Sequence, residues 1–480
     1  MMPKIGHEAY GPHQFAGGNQ QSAIIAVFCL ALLSACGGGG GSTSSSAPVA
    51  APVTTTSTSN ESGAMGVAVV NGATEASMPG SSGSGTLLTL PNTGTLTGAT
   101  VSAAQFAYIN VPDVSSVTGT NLDVSHGIGV AFSYGSPNVA IFAYSPTANT
   151  LNEISYFIVN GGSASNTLAF SGANPVVAGV VLDPSNETAI VDTYDGYEIW
   201  SYANPQDPVY VKTIASSNVS PSGIDMAENF AYDPNFNLGG DGYRMILSAG
   251  YVGPATDVLE LADANTGTIF TPDSATANIF YTIASSSGCS IDQIGVDTGY
   301  QVAVLGCEGL NQAILVDLNA LTLDAATNTY SLPASAVQVL STGSNSSMDV
   351  VAVESNSHTV FLGAGGLAGQ PPDAFEVGTL SNPASAFGFV APPVTVFMPP
   401  TSSANASNCP QASCLDITGG VGWNGAGDPH AVAAYQNAEG DAKLLWMGLG
   451  GADMAVIDLT QVLSNPANPP ASSIWYQGLP

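Results

Sequence analysis

Basic side chains are nearly missing from this chain: 480 residues carry four Lys and Arg against 35 Asp and Glu, a formal net charge of −31. Tracking a phosphate backbone needs clustered Lys and Arg, so nucleic acid is excluded as a partner. Removing residues 1–35 takes away Lys4 and Glu8, which leaves 34 acids and three scattered bases, Lys212, Arg244 and Lys443. Ion pairs therefore cannot organise the fold. Charged residues of all kinds make up only 8%, where soluble domains usually hold about 25%. A long apolar run is missing too. Ala23–Leu33 is the one candidate, and it falls short of the roughly 20 residues that a membrane span requires. Amphipathic helical periodicity is scarce, with short candidates only at 320–326 and 458–463. Motifs of established chemistry are absent as well: the mature chain has no HExxH, Walker loop, GxSxG elbow or SxxK.

What is present is apolar content of 45%, which separates this chain from disordered sequences of high charge and low hydrophobicity. The apolar stretch Ala23–Leu33 suits the core of a signal peptide. It runs into Leu33-Ser34-Ala35-Cys36, which resembles the bacterial lipobox. That resemblance implies a signal peptide over 1–35, a lipid on Cys36 and anchorage in a membrane. Gly37 after the cysteine points by the same resemblance to the outer membrane, periplasmic or surface-exposed. Residues 36–65 are rich in Gly, Ser, Thr and Pro without apolar periodicity, the composition of a flexible to semi-extended tether.

From about residue 100 the sequence is short β-type runs broken by Gly, Asn, Asp and Pro, the pattern of a sandwich, barrel or propeller. Internal repetition selects among them. His126-GIGV, Asp292-QIGV, Asp349-VVAV and His430-AVAA each set one polar residue before a short Gly/Ala/Val strand. A second apolar strand then follows, as in VAIFAY (139–144), QVAVLG (301–306), HTVFLG (358–363) and KLLWMG (443–448). Looser copies begin near Val176 and Gly223. Six copies spaced by roughly 45–80 residues indicate blades of three to four antiparallel strands. The expectation is an all-β domain over 66–480, a β-propeller of six to seven blades with clear repeats over 120–460. Residues 66–113 would supply a seventh blade or closing strands paired with Ser473–Tyr476. A solenoid or sandwich is the alternative.

Pro429-His430-Ala431-Val432-Ala433, Ser125-His126-Gly127-Ile128 and Pro221-Ser222-Gly223-Ile224 resemble the inner-strand opening of YVTN/NHL-like bacterial β-propellers. Ala262-Asp263-Ala264-Asn265-Thr266-Gly267 looks like that family's strand-connecting turn. The likeness is degenerate and implies a fold more than a function.

Four cysteines remain after Cys29 and Cys36, an even number in an oxidising compartment, so disulfides are expected. Cys289 and Cys307 flank a hairpin turning at Thr298-Gly299, and counting outward sets them nearly opposite. Cys409 and Cys414 would close a small surface clip. The repeat alignment puts His126, Asp292, Asp349 and His430 at the start of inner strands, with Asp225 close by, so they would converge at one mouth of the channel. Imidazole with carboxylate suits a divalent metal of the zinc or iron type, and carboxylates alone suit calcium. The same residues could simply cap loops. Gly363-Ala-Gly365-Gly-Leu-Ala368 mimics a dinucleotide loop, but the Pro371-Pro372 that follows cannot open the helix such a loop needs. Trp423 in its Gly-rich loop could stack on a sugar or fill the loop. Two functions follow: a binding or scaffold propeller at the cell envelope with a protein or glycan ligand, or a metal-dependent, lactonase-like hydrolase using the His/Asp ring. The scarcity of bases further suggests adaptation to acid.

Overall fold

In a computed structural model, the structure describes residues 53–55, 68–70, 75–79, 85–89, 102–106, 119–123, 125–132, 137–145, 150–159, 177–193, 196–215, 226–250, 259–287, 289–308, 310, 312–341, 347–365, 374–397, 431–437, 439–447, 453–466, 470 and 473–478. The chain divides into two units, Met1–Val49 and Ala50–Pro480. The first lies outside the described residues, as do Cys36, Cys409, Cys414 and Trp423.

The second unit is a β-propeller. Six blades follow one another as antiparallel sheets: blade 1 over 119–158, blade 2 over 177–215, blade 3 from 226, blade 4 from 290, blade 5 over 347–397 and blade 6 over 431–478. The first strand of each is innermost and lies beside the first strands of its neighbours. These inner strands are Gly119–Asp123, Val177–Asp183, Met226–Leu238, Ser290–Asp297, Ser347–Glu354 and Ala431–Gln436. A further five-stranded sheet, Val53–Thr55 to Ser102–Phe106, lies beside the inner strands of both blade 1 and blade 6. Its first strand falls inside the stretch read as tether. The terminal strand Ile474–Gly478 pairs with Asp453–Asp458 and completes blade 6; it does not join the strands of 68–106, as one reading of the sequence had it.

The repeat is visible in sequence because of where each strand sits. Middle strands are covered on both faces by neighbouring blades, so they read as unbroken apolar runs. Ile128–Phe132 and Thr188–Thr193 are buried at every position. Alternate residues enter different seams: Ala189 and Val191 pack toward blade 1, Ile190 toward blade 3. Outer strands keep one wet face, and Val209 and Val211 on Val209–Ala215 are 57% and 47% exposed. The blades approach closely. A Cβ at Gly306 would sit 2.3 Å from the Met348 carbonyl oxygen of the next blade, so a side chain there would force backbone to move.

Blades 3 and 4 are interlocked. The hairpin Thr322–Asp324/Thr329–Ser331 is inserted between the last two strands of blade 4, yet it pairs in parallel with Ile269–Pro272 of blade 3. The helix Ser274–Ser287 precedes it. Asp273 caps that helix through the Thr276 N–H at 2.7 Å, and Phe280 is its buried anchor. Nothing in the sequence announced this helix, because Ser, Thr and β-branched residues of low helix propensity fill it. The short helix Leu459–Ser464 lies where 458–463 was expected; 320–326 instead ends a 3₁₀ turn and begins a strand. No described helix is long and apolar enough to cross a membrane.

Cys289 and Cys307 form a disulfide with Cα atoms 5.0 Å apart. The register that brings them together pairs Ile291 with Cys307 and turns at 298–301.

Candidate functional site

Asp292 and Asp349 lie on the inner strands of blades 4 and 5, near their starts. Each falls in an irregularity of the ladder, between Ile291 and Ile294 in one blade and between Ser347 and Val350 in the next. A β-bulge bends a strand and re-aims a side chain, and bulges gather beside functional sites. Blade 2 is likewise irregular between Val177 and Gly179, and blade 3 has a larger irregularity between Met226 and Phe230. Asp292 and Asp349 thus occupy matching backbone positions on adjacent inner strands. Their side chains, and the whole of Asp225 and His430, lie outside the described residues. Among the described residues no group of three or more His, Cys, Asp or Glu could hold a metal ion.

His126 does not belong to this set. It lies in the turn between Gly119–Asp123, the true inner strand of blade 1, and Ile128–Phe132. The alignment slipped by one strand, because His-Gly-Ile-Gly-Val opens a second strand with the same apolar signature as an inner one. Its Nδ1 meets Asp123 Oδ2 at 2.7 Å and its Nε2 lies 3.4 Å from Glu187 Oε1 of blade 2.

That turn leads to a constellation not anticipated from sequence. Inner strands of blades 1, 2, 4 and 5 end on a buried acid: Asp123, Asp183, Asp297 and Glu354, each at most 1% exposed. Blade 3 has Asp233 at the matching place, and blade 6 has Asn437. Each acid first accepts the amides of its own turn. Ser185 N donates to Asp183 at 3.0 Å, Tyr300 N to Asp297 at 2.8 Å and Ser357 N to Glu354 at 2.7 Å. Side-chain oxygens closing tight turns in this way explain why Asp recurs there.

Four of these acids also take a donor from the following blade. Tyr202 OH reaches Asp123 at 2.7 Å. Tyr232 OH reaches Asp183 at 2.5 Å, and Arg244 adds Nη2 at 2.6 Å and Nε at 2.7 Å. Gln301 Nε2 donates to Asp233 at 2.6 Å. His358 Nδ1 lies 2.9 Å from Asp297, with its ring stacked on Tyr300 at 3.3 Å. A belt of carboxylate latches thus runs from blade 1 to blade 5 along one rim.

Backbone conformation marks the same positions. The left-handed turn residue is glycine in blades 1 and 6 (Gly127 and Gly440), but Glu187, Gln301 and His358 in blades 2, 4 and 5, with φ of 48°, 54° and 57°. Non-glycine residues there carry a steric cost. All three reach back to the preceding blade's turn, so the strain is retained where the side chain serves as a latch.

Burial acts on the acids in one direction. Desolvation pushes Asp233 and Asp297 above the ordinary carboxylate range, partly offset by the Gln301 and Tyr300 hydrogen bonds respectively, and Asp297 raises Asp233 further. Tyr202 and Tyr232 are pushed up mainly by burial, then by Asp123 and Asp183 respectively, so both phenols stay protonated donors.

The three Lys and Arg among the described residues are all committed. Lys212 Nζ donates to the Asn265 carbonyl of blade 3. Arg244 holds Asp183, and Lys443, 1% exposed, holds Asp458 Oδ2 at 2.5 Å. Trp200 is half-buried and stacks on Phe157 of blade 1 with centroids 4.6 Å apart. Gly363 and Gly365 belong to the strand Thr359–Gly365, not to a loop opening a helix.

No protein-family profile and no curated protein matches this chain. Among solved structures it is similar to Saccharomyces cerevisiae Sqt1, at 8% identity and TM-score 0.44, covering 81% of this chain and 80% of that one. It is also similar to the β-propeller domain of Myceliophteria thermophila Cps50 (Swd1), at 11% identity and TM-score 0.47, covering 83% and 96%.

Proposed function

We propose that this chain is a bacterial lipoprotein, anchored through Cys36 and held off the membrane by its tether, whose propeller works as a binding or scaffold module at the cell envelope. The observation that carries the binding role is the pair of equivalent bulges that sets Asp292 and Asp349 at one level on adjacent inner strands. With Asp225 and His430 expected nearby, the ligand would meet an acidic channel mouth. A protein or glycan with hydroxyl or amine donors suits such a mouth, either directly or through a bound calcium ion. The belt at the other rim is a structural device, since its acids are already filled by turn amides and the next blade.

Two measurements test the reading. Cys36→Ser should move the protein from the membrane fraction to the soluble one; unchanged fractionation overturns the anchor. In-cell crosslinking from the mouth should capture an envelope protein or glycan, and Asp292→Asn/Asp349→Asn should lose it. Stoichiometric zinc or iron, with metal-dependent hydrolysis of lactones lost in the same variant, would replace the binding role by an enzymatic one.

A further inference from the structure

The seam between blades 2 and 3 holds a second acidic site, at the rim opposite the belt. Asp192 and Tyr197 are directly paired across neighbouring strands of blade 2, which sets their Cβ atoms about 5 Å apart on one face. That face is the one turned to blade 3, because Ile190 and Ile199, two residues from each, pack there with Ile246 and Ala262. Ser248 and Glu260 are likewise paired across strands of blade 3. Each stands two residues from Ile246 or Ala262 and so faces blade 2. All four are buried: Asp192 1%, Tyr197 0%, Ser248 3% and Glu260 2% exposed.

Among the described residues no cation is paired with Asp192 or Glu260 at this rim: Arg244 and Lys212 cross the seam to Asp183 and Asn265, and Lys443 lies in blade 6. On the inner-strand side Asp192 pairs with Gly179, which has no side chain to offer. The Thr193 N–H supports the carboxyl but is outweighed by burial, which pushes Asp192 well above the ordinary carboxylate range. Two polar atoms are left without a hydrogen bond, Asp192 Oδ1 and the Tyr197 hydroxyl, although the phenol approaches Ser248. Burial, Asp192 and Glu260 hold that phenol protonated. An ionised Asp192 would be a dry, uncompensated charge, which is far more costly than a neutral carboxyl. A proton on the carboxyl removes that charge and leaves a neutral acid beside the neutral phenol paired with it across the strands.

We propose that Asp192 carries a proton in the folded protein at neutral pH, and that its ionisation loosens the seam between blades 2 and 3, making that seam a pH-responsive element. This inference is independent of the proposed binding role. It places the responsive seam at the same end of the inner strands as the bulged positions Ala178, Asp292 and Asp349.

The sign follows from linkage. An acid that binds its proton more tightly when folded stabilises fully below its unfolded value of about 4, and loses that contribution as pH rises toward the folded value. Asp192→Asn keeps the shape and a donor but cannot ionise. Unfolding equilibria of the two proteins should be close at pH 4, and the parent should then lose ground to Asp192→Asn by up to about tenfold per pH unit. A constant ratio from pH 4 to 8 overturns the proposal. A second measurement serves if the variant does not fold. In the parent, carboxyl-¹³C-labelled Asp should show a protonated aspartic acid at pH 7 that is assigned to Asp192 by its loss in Asp192→Glu/Tyr197→Phe. Ionised signals for every Asp overturn the proposal equally.

Discussion

The Asp183 latch makes the strongest quantitative demand. Asp183 is 1% exposed and accepts from Arg244 twice, from Tyr232, from Asn186 Nδ2 and from two turn amides. In Asp183→Ala the guanidinium, itself only 11% exposed, stays in the seam without its counter-charge. Removing one partner of a buried ion pair costs about 3–5 kcal/mol, because the other charge remains desolvated. Arg244→Met should cost less, since Tyr232 and the turn amides still satisfy the carboxylate. Replacing both with apolar residues, Asp183→Leu/Arg244→Met, removes the stranded charge. Its cost should fall below the sum of the single costs by about 1–3 kcal/mol. Guanidinium chloride unfolding at pH 7 and fixed salt measures all three. A cost for Asp183→Ala under about 1 kcal/mol, or single effects that add within about 0.5 kcal/mol, would refute the view that the belt carries inter-blade energy.

Other expectations follow from the same structure. Cys289→Ala/Cys307→Ala opens a bridge of sequence separation 18 and should lower stability by about 3 kcal/mol in the chain-entropy model; an unchanged denaturation midpoint would contradict it. Gln301→Gly relieves a left-handed residue at φ 54°, a gain of about 1–2 kcal/mol, but strips a hydrogen bond from buried Asp233, a loss of about 1–3 kcal/mol or more for a charged group. The net should be destabilising at pH 7 and smaller at pH 4, where more of Asp233 is protonated; a variant that melts higher at pH 7 refutes the latch. Asp233 and Asp297 have raised folded values, so stability should be greatest near pH 4 and fall as pH rises from there toward neutrality. Asp273 and Asp324 are held low by turn and cap amides and act oppositely, but Asp324 is exposed and Asp273 only half-buried, so solvent screens both. Melting temperatures that climb steadily from pH 4 to 7 would sink the acid-adaptation idea.

The propeller was legible because its middle strands are buried on both faces. VAVLG (302–306) and VFLG (360–363), on second strands, are monotonous for that reason, and monotony repeats. The same monotony hid the register. His126-Gly-Ile-Gly-Val and Asp292-Gln-Ile-Gly-Val look alike in composition, yet the first opens a second strand and the second an inner one. Strand ends were the better guide. Asp183-Pro-Ser-Asn, Asp233-Pro-Asn, Asp297-Thr-Gly and Glu354-Ser-Asn-Ser each place an acid before turn residues, once per blade, and aligning on them would have exposed the belt. The latches themselves could not be read in this way, because Tyr202, Tyr232 and Gln301 lie 79, 49 and 68 residues from their acids. The hairpin at 322–331 was unreadable for a similar reason, since its partner strand belongs to another blade.

The scarcity of bases and the chemistry of the belt are two sides of one design. A carboxylate latched by Tyr or Gln keeps a hydrogen bond after it is protonated, because its carbonyl oxygen still accepts. A carboxylate latched by Arg loses the charge attraction that made the contact favourable. Blade seams 1–2 and 3–4 use Tyr202 and Gln301 and should hold in acid, whereas seam 2–3 adds Arg244 to Tyr232 and loses the Arg244 part of its latch. The opposite rim of seam 2–3 carries Asp192, whose ionisation strains the same two blades from the other pH direction. One seam therefore meets a penalty at both ends of the pH scale, and each penalty sits at a different rim. If the propeller opens locally before it unfolds, it should part between blades 2 and 3, from the belt side in strong acid and from the mouth side above neutrality. Hydrogen exchange of Thr188–Thr193 and Asp241–Gly250 at the two pH extremes would show fast exchange beginning at Thr188 and Arg244 in acid, and at Asp192 and Ser248 in base. Protection lost evenly along both strands, at either extreme, would mean that the seam has no rim-specific weakness.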